Sequence, residues 1–86
     1  MYYVYCLVSE KRPRFHYYGF TANLEKRMKA HQAGKVRTTH RFAPVVLLGY
    51  KEFVSKQEAL NFEKVLKSKA SMRKSFIAEL KLGSPA

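Results

Sequence analysis

Arg27 and His31 stand four residues apart in "NLEKRMKAH", the spacing that puts two side chains on one face of a helix. A guanidinium can hold a phosphate through two parallel hydrogen bonds, and an imidazole is the side chain that titrates near neutrality. Upstream, "HYYGF" sets Tyr17 and Tyr18 against Gly19, and "YYVYCLV" carries Tyr3 and Tyr5 in alternation. Far downstream, Glu63 falls at helical spacing among Ala59, Leu60, Phe62 and Leu66. A carboxylate on that apolar side is costly to bury bare and calls for a cation or a metal. Each residue also has a plainer account. Arg27 is a solvated cation between Lys26 and Lys29, His31 answers the negative end of a helix, the tyrosines pack a sheet, and Glu63 pairs with Lys67 at i+4. What matters is whether the fold brings them together.

The elements that must do so are legible. "YYVYCLV" (2–8) is short, aromatic and β-branched, "FHYYGF" (15–20) reads as a second strand, and the few polar residues around Pro13 between them predict an antiparallel hairpin. In that hairpin Tyr5 and Tyr17 are expected as a cross-strand pair. Gly19 inside the strand marks a close approach of a ligand or another backbone. Thr21 or Asn23 caps a helix carrying Leu24, Met28 and His31, and Gly34 closes it. Because Arg27 and His31 border its apolar stripe, both are expected at the rim of a cleft. Residues 35–44 read as loop. "VVLLGYKEF" (45–53) reads as a third strand, and its continuous apolar start predicts a buried central position. Ser55 with Glu58 three residues on opens a second helix in the capping-box pattern, and a last helix runs from about Ser71 to Leu82. The order β-β-α-β-α-α makes an α+β domain over 1–82: a small three-stranded antiparallel sheet flanked by helices, with 83–86 as a frayed tail.

Charge narrows the partner. Seventeen Lys and Arg against six Asp and Glu give +11. The cations are spread through the chain rather than bunched in a tail, so the folded body itself is basic and suits a polyanion, most simply nucleic acid. Lys26, Arg27, Lys35, Arg37, Thr38, Thr39 and Lys67 are the expected contacts. One cysteine, Cys6, allows neither an intramolecular disulfide nor a zinc cluster and reads as a buried thiol. The N-terminal apolar run is too short for a membrane span and lacks a basic leader, which predicts a cytoplasmic protein. No phosphate-binding glycine loop, paired metal carboxylates or Ser/His/Asp order is present.

In order along the chain, "YVY" (3–5), "YYG" (17–19), Arg27 with His31, and Glu63 resemble the GIY-YIG nuclease domain. The likeness is greatest to the short stand-alone bacterial members, through "YYVYCL", "TANLEKRMKAH", Thr38-Thr39, Glu58-Ala59 and "EKVLK". Tyr3 stands where the first motif has glycine, and Tyr18 where the second has isoleucine. The resemblance implies phosphodiester hydrolysis with one divalent ion, Mg2+ or Mn2+. It implies Tyr5 and Tyr17 as the motif tyrosines, Arg27 as the phosphate ligand, His31 as the helix histidine and Glu63 as the metal ligand. With these roles, Tyr17 is the expected general base, its phenolate favoured by Arg27 and the metal. The chain is then expected to be a metal-dependent DNA endonuclease of low sequence specificity, a protein partner supplying any selectivity. A non-catalytic nucleic-acid-binding module on the same fold, or a small basic interaction protein, would need no Glu63.

Overall fold

Tyr2–Ser9 forms strand β1, and β-branched and aromatic residues fill it. It pairs antiparallel with β2, His16–Thr21, and on its other side with β3, Val45–Phe53, so the sheet order is β2-β1-β3. Between them run helix α1 (Leu24–Gln32) and a single 3-10 turn at His40–Phe42; α2 (Lys56–Ser68) and α3 (Ala70–Lys81) follow β3. The computed structural model describes residues 1–82, and the predicted frayed tail lies outside them. The predicted α+β class and element order are those observed.

Period-two alternation in β1 divides the molecule into two cores. Tyr5 and Leu7 face one way, with Val45, Tyr17, Tyr50 and the α1 residues Leu24 and Met28. Val4 and Cys6 face the other way, against Ala59 and Leu66 of α2 and Phe76 and Leu80 of α3. Burial pushes the Cys6 thiol up to about 12, leaving it an inert part of that core.

Two expectations about the sheet are corrected. β3 is an edge strand, not the central one; Val46 and Leu47, the apolar start that suggested burial, are exposed. β1 takes the centre because both other strands pair with it. A register shift between Cys6 and Leu7 bends the β1–β3 ladder, a feature that discourages further pairing at an edge. The hairpin register, in turn, pairs Tyr5 with Gly19 and Leu7 with Tyr17, so the two tyrosines are diagonal neighbours on one face.

The helix ends follow local chemistry. Asn23 caps α1, accepting from the Lys26 N–H at 3.0 Å. Gly34 takes φ +72° beyond its end, and the Lys35 N–H reaches back to the Ala30 carbonyl at 3.0 Å, the closing bond that a left-handed residue permits. Ser55 caps α2 by accepting from the Glu58 N–H at 3.3 Å. Ser55→Ala should therefore lower stability by about 1 kcal/mol in urea unfolding, without changing the fold.

Candidate active site

Tyr5 is fully buried, and its hydroxyl is the junction of the site. It lies 2.9 Å from His31 Nε2, while Arg27 Nε donates to it at 3.2 Å. His31 Nδ1 lies 2.8 Å from Thr39 Oγ1, and Thr39 donates in turn to the Val36 carbonyl at 3.4 Å. The carbonyl can only accept, so the Thr39 proton is spent there and its oxygen accepts from His31 Nδ1–H. That leaves Nε2 as an acceptor, and the Tyr5 O–H must donate to it. The chain thus has one direction: Arg27 to Tyr5 to His31 to Thr39 to Val36.

Each member is fixed by a different element. Tyr5 comes from β1, Arg27 and His31 from one face of α1, and Thr39 from the turn leading to the 3-10 segment. That turn is pinned from behind. Buried Ser9 donates to the Phe42 carbonyl at 2.6 Å, and Phe15 stacks on Phe42 at 3.8 Å. The rings of Tyr17 and His31 meet edge to face at 5.4 Å, and Tyr17 lies 6.3 Å from the Tyr5 ring.

Gly19 is what allows Tyr5 its place. A Cβ there would fall inside the Tyr5 phenol, 2.9 Å from Cε1 and nearer still to Cζ and Oη. The close approach expected from a strand glycine is therefore that of the Tyr5 side chain, across the pair that the register makes.

Burial governs the protonation states. Desolvation, helped by the charge of Arg27, pushes His31 down to about 4, so it is neutral at pH 7, as the hydrogen-bond direction requires. Desolvation also raises Tyr5; Tyr17 and Glu63 push the same way, and the hydrogen bond and charge of Arg27 oppose them. For Tyr5 burial wins, and in the free protein it is a neutral phenol.

Glu63 lies on α2, which packs on the opposite face of the sheet from α1. Even so, its charge reaches the Tyr5 hydroxyl, where it adds to the upward shift. Its side chain is 19% exposed and pairs with Lys67 at 3.3 Å. The plainer reading of Glu63 is the one observed, a partly covered carboxylate paired with Lys67 at i+4. Among the described residues no group of three His, Cys, Asp or Glu could hold a metal ion.

Two other placements differ from expectation. His31 is not at a cleft rim; it is 1% exposed, sealed beneath Tyr17 and Arg27. Thr39, expected on the nucleic-acid surface, is fully buried with its hydroxyl on His31, so it cannot touch a polymer. Lys26, Lys35, Arg37, Thr38 and Lys67 are exposed and Arg27 is half-buried. A cavity of about 220 Å³ beside Arg27 is lined also by Thr21, Asn23, Lys26 and Ala30. A larger one of about 650 Å³, between α1 and β3, holds neither Tyr5 nor Arg27 and stands apart from this chemistry.

Against known proteins, a family model described as the GIY-YIG catalytic domain matches residues 1–75. The chain belongs to the GIY-YIG family. Among curated relatives, a UPF0213 protein of Streptococcus pneumoniae is 35% identical over 77 residues, which span 87% of this chain and 78% of the relative. A UPF0213 protein of Streptococcus pyogenes is 38% identical over 66 residues, 76% of this chain and 72% of the relative. No solved structure matches. These relatives are short stand-alone bacterial proteins, in keeping with the resemblance read from the sequence. The GIY-YIG domain is of nuclease type, and among the described residues no helix is long and apolar enough to cross a membrane.

Sequence reasoning missed three positioning residues of this GIY-YIG domain. Gly19 was legible as a close approach but not as the slot for Tyr5. Thr39 was singled out, but as a nucleic-acid contact rather than as the partner of His31, and Ser9 carried no signal, because a small hydroxyl residue at a strand end is ordinary.

Proposed function

We propose that this GIY-YIG protein is a metal-dependent endonuclease that hydrolyses phosphodiester bonds in DNA with little sequence specificity. The directed Arg27–Tyr5–His31–Thr39 chain is the observation that supports it most. A binding protein has no need of a phenol whose proton already points at a neutral imidazole.

In this reading Arg27 spends Nε on Tyr5 and offers its other N–H groups to the nonbridging oxygens of the scissile phosphate. Drawing the guanidinium towards the phosphate uncovers the Tyr5 oxygen. An attacking water gives its proton to that oxygen as Tyr5 passes its own to His31 Nε2. The water oxygen bonds to phosphorus, the bond to the leaving oxygen breaks, and solvent protonates the leaving group. Tyr5, which has an acceptor at hand, takes the base role first expected of Tyr17. Tyr17, half-buried beside it, walls the path of the water.

One carboxylate fits a hard divalent ion that keeps water and phosphate oxygens as its other ligands. Glu63 is that carboxylate, partly open, and its partner Lys67 is free to swing into solvent. Mg2+ or Mn2+ held there would stabilise charge on the phosphate and leaving oxygens. Glu63→Ala should lower nicking of supercoiled DNA by at least about a hundredfold while leaving duplex affinity nearly unchanged.

Complete burial of Tyr5 and His31 favours the second reading, a binding module on a retired nuclease fold. Wild-type protein that binds DNA tightly at low salt yet never nicks it with either metal would establish that reading and end the first.

A further inference from the structure

Tyr5, Tyr17, Arg27 and His31 lie on the α1 side of the sheet. On the other side, where β2 meets the start of α3, a second cleft of about 350 Å³ opens, and its charge is one-sided. Arg14, Arg73 and Lys74 line it together with His16, and among the described residues no carboxylate does. In a chain with six acidic residues this is not automatic: Glu25 answers Lys29 on α1 and Glu63 answers Lys67 on α2.

Arg73 is not loose. Its Nη1 donates to the Leu66 carbonyl at 2.8 Å and to the Lys67 carbonyl at 3.2 Å, closing the end of α2. One guanidinium edge is thereby spent on the fold, the stem is held, and the rest of the fork stays a fixed charge at the cleft wall. Arg14 and Lys74 are exposed and make no salt bridge among the described residues. Ala70, the first residue of α3, also lines the cleft. That helix starts with no side-chain cap and no acidic residue in its first turn, so its positive end adds to the same field.

We propose that Arg14, Arg73 and Lys74 form a second phosphate-binding cleft that grips the nucleic-acid backbone away from the cleavage pocket. The inference rests on the nucleic-acid reading above and extends it. The three cations hold backbone phosphates, which gives position and affinity but reads no base. The molecule measures 29 × 25 × 24 Å, less than one turn of duplex, roughly 34 Å. The two clefts sit on opposite faces of the sheet, so a straight duplex cannot fill both. The bound polymer bends around the β2 edge or presents two separate arms.

Salt dependence tests this, because each phosphate contact contributes about 0.9 to the slope of log K against log salt on duplex DNA. Arg14→Ala/Lys74→Ala is the variant of choice, since neither side chain bonds within the fold; Arg73 is left in place because it closes α2. A fluorescein-labelled 20-base-pair duplex, a four-way DNA junction and an acidic Glu-rich peptide serve as probes. The expected result is a slope lower by about 2 on the junction, with the peptide unbound. Single-turnover cleavage at saturating DNA stays at the wild-type rate. Lys56→Ala/Lys81→Ala removes equal charge elsewhere and should change the slope by less than half as much. An unchanged slope in Arg14→Ala/Lys74→Ala overturns the cleft, as does an equal change in the two double variants or a preference for the peptide. Absence of cleavage by wild type, with the slope effect intact, would sink only the catalytic reading and leave the cleft standing.

Discussion

Gly19→Ala is expected to abolish cleavage while the protein still folds. The added methyl would occupy the Tyr5 ring, and Tyr5 is fully buried with its hydroxyl tied to Arg27 and His31, so the ring has nowhere to retreat. Either β2 moves away from β1 or the phenol leaves its hydrogen bonds. Overpacking of this kind costs about 1–3 kcal/mol. Loss of a positioned acid–base group lowers the rate by about 10²–10⁴-fold. Urea unfolding and a nicking assay read the two effects separately. Gly49→Ala is the comparison: its Cβ would meet Leu80 Cδ2 at 2.7 Å, a flexible side-chain end on α3, far from the phenol. It should cost stability but leave the rate alone. Tyr5→Ala combined with Gly19→Ala should be less destabilised than the sum of the single changes, because the clash vanishes with the ring. Additive losses would show that Gly19 is not the slot for Tyr5.

Acid should destabilise the fold through His31. The unfolded histidine takes its proton near 6.5, while the buried one holds out until about 4. Between those values the unfolded state binds more protons, so stability falls as pH drops through that window and the loss is complete below it. A gap of that size is worth about 3 kcal/mol. Glutamine can accept from Tyr5 and donate to Thr39 without titrating, so His31→Gln keeps both roles and removes the proton linkage. Urea midpoints at pH 7 and pH 4 should then draw closer in the variant by that amount. Equal acid sensitivity in both proteins would mean that His31 is not held neutral. The same substitution bears on chemistry, because an amide cannot take the Tyr5 proton. Cleavage should fail in His31→Gln even at neutral pH, where its stability matches wild type.

Local order was open to reading wherever neighbours in the chain decide the outcome. Asn23, Gly34 and Ser55 announced the helix ends because caps act within a few residues. The alternation of "YYVYCLV" announced β1 because a strand's faces follow from its period. β3 was misplaced for a complementary reason. An apolar run reports burial potential, but which strand lies between two others depends on pairing partners distant in sequence. The two-residue difference that sets Tyr5 against Gly19 rather than Tyr17 was hidden similarly, since it keeps every side chain on its face and the loop around Pro13 leaves more than one register open.

By itself, the sequence determined the family and named the residues of the candidate site: two tyrosine motifs on a hairpin, Arg27 and His31 one helical turn apart, and a late glutamate on a helix. These are properties of short stretches and their order. Only the tertiary structure decided that His31 is sealed and neutral, that its second nitrogen belongs to Thr39, and that Tyr5 rather than Tyr17 holds the directed bond. It alone assembled Arg14, Arg73 and Lys74 into one cleft. Burial and hydrogen-bond direction arise from groups that meet through space, and desolvation acts on a side chain only once the rest of the fold has closed over it.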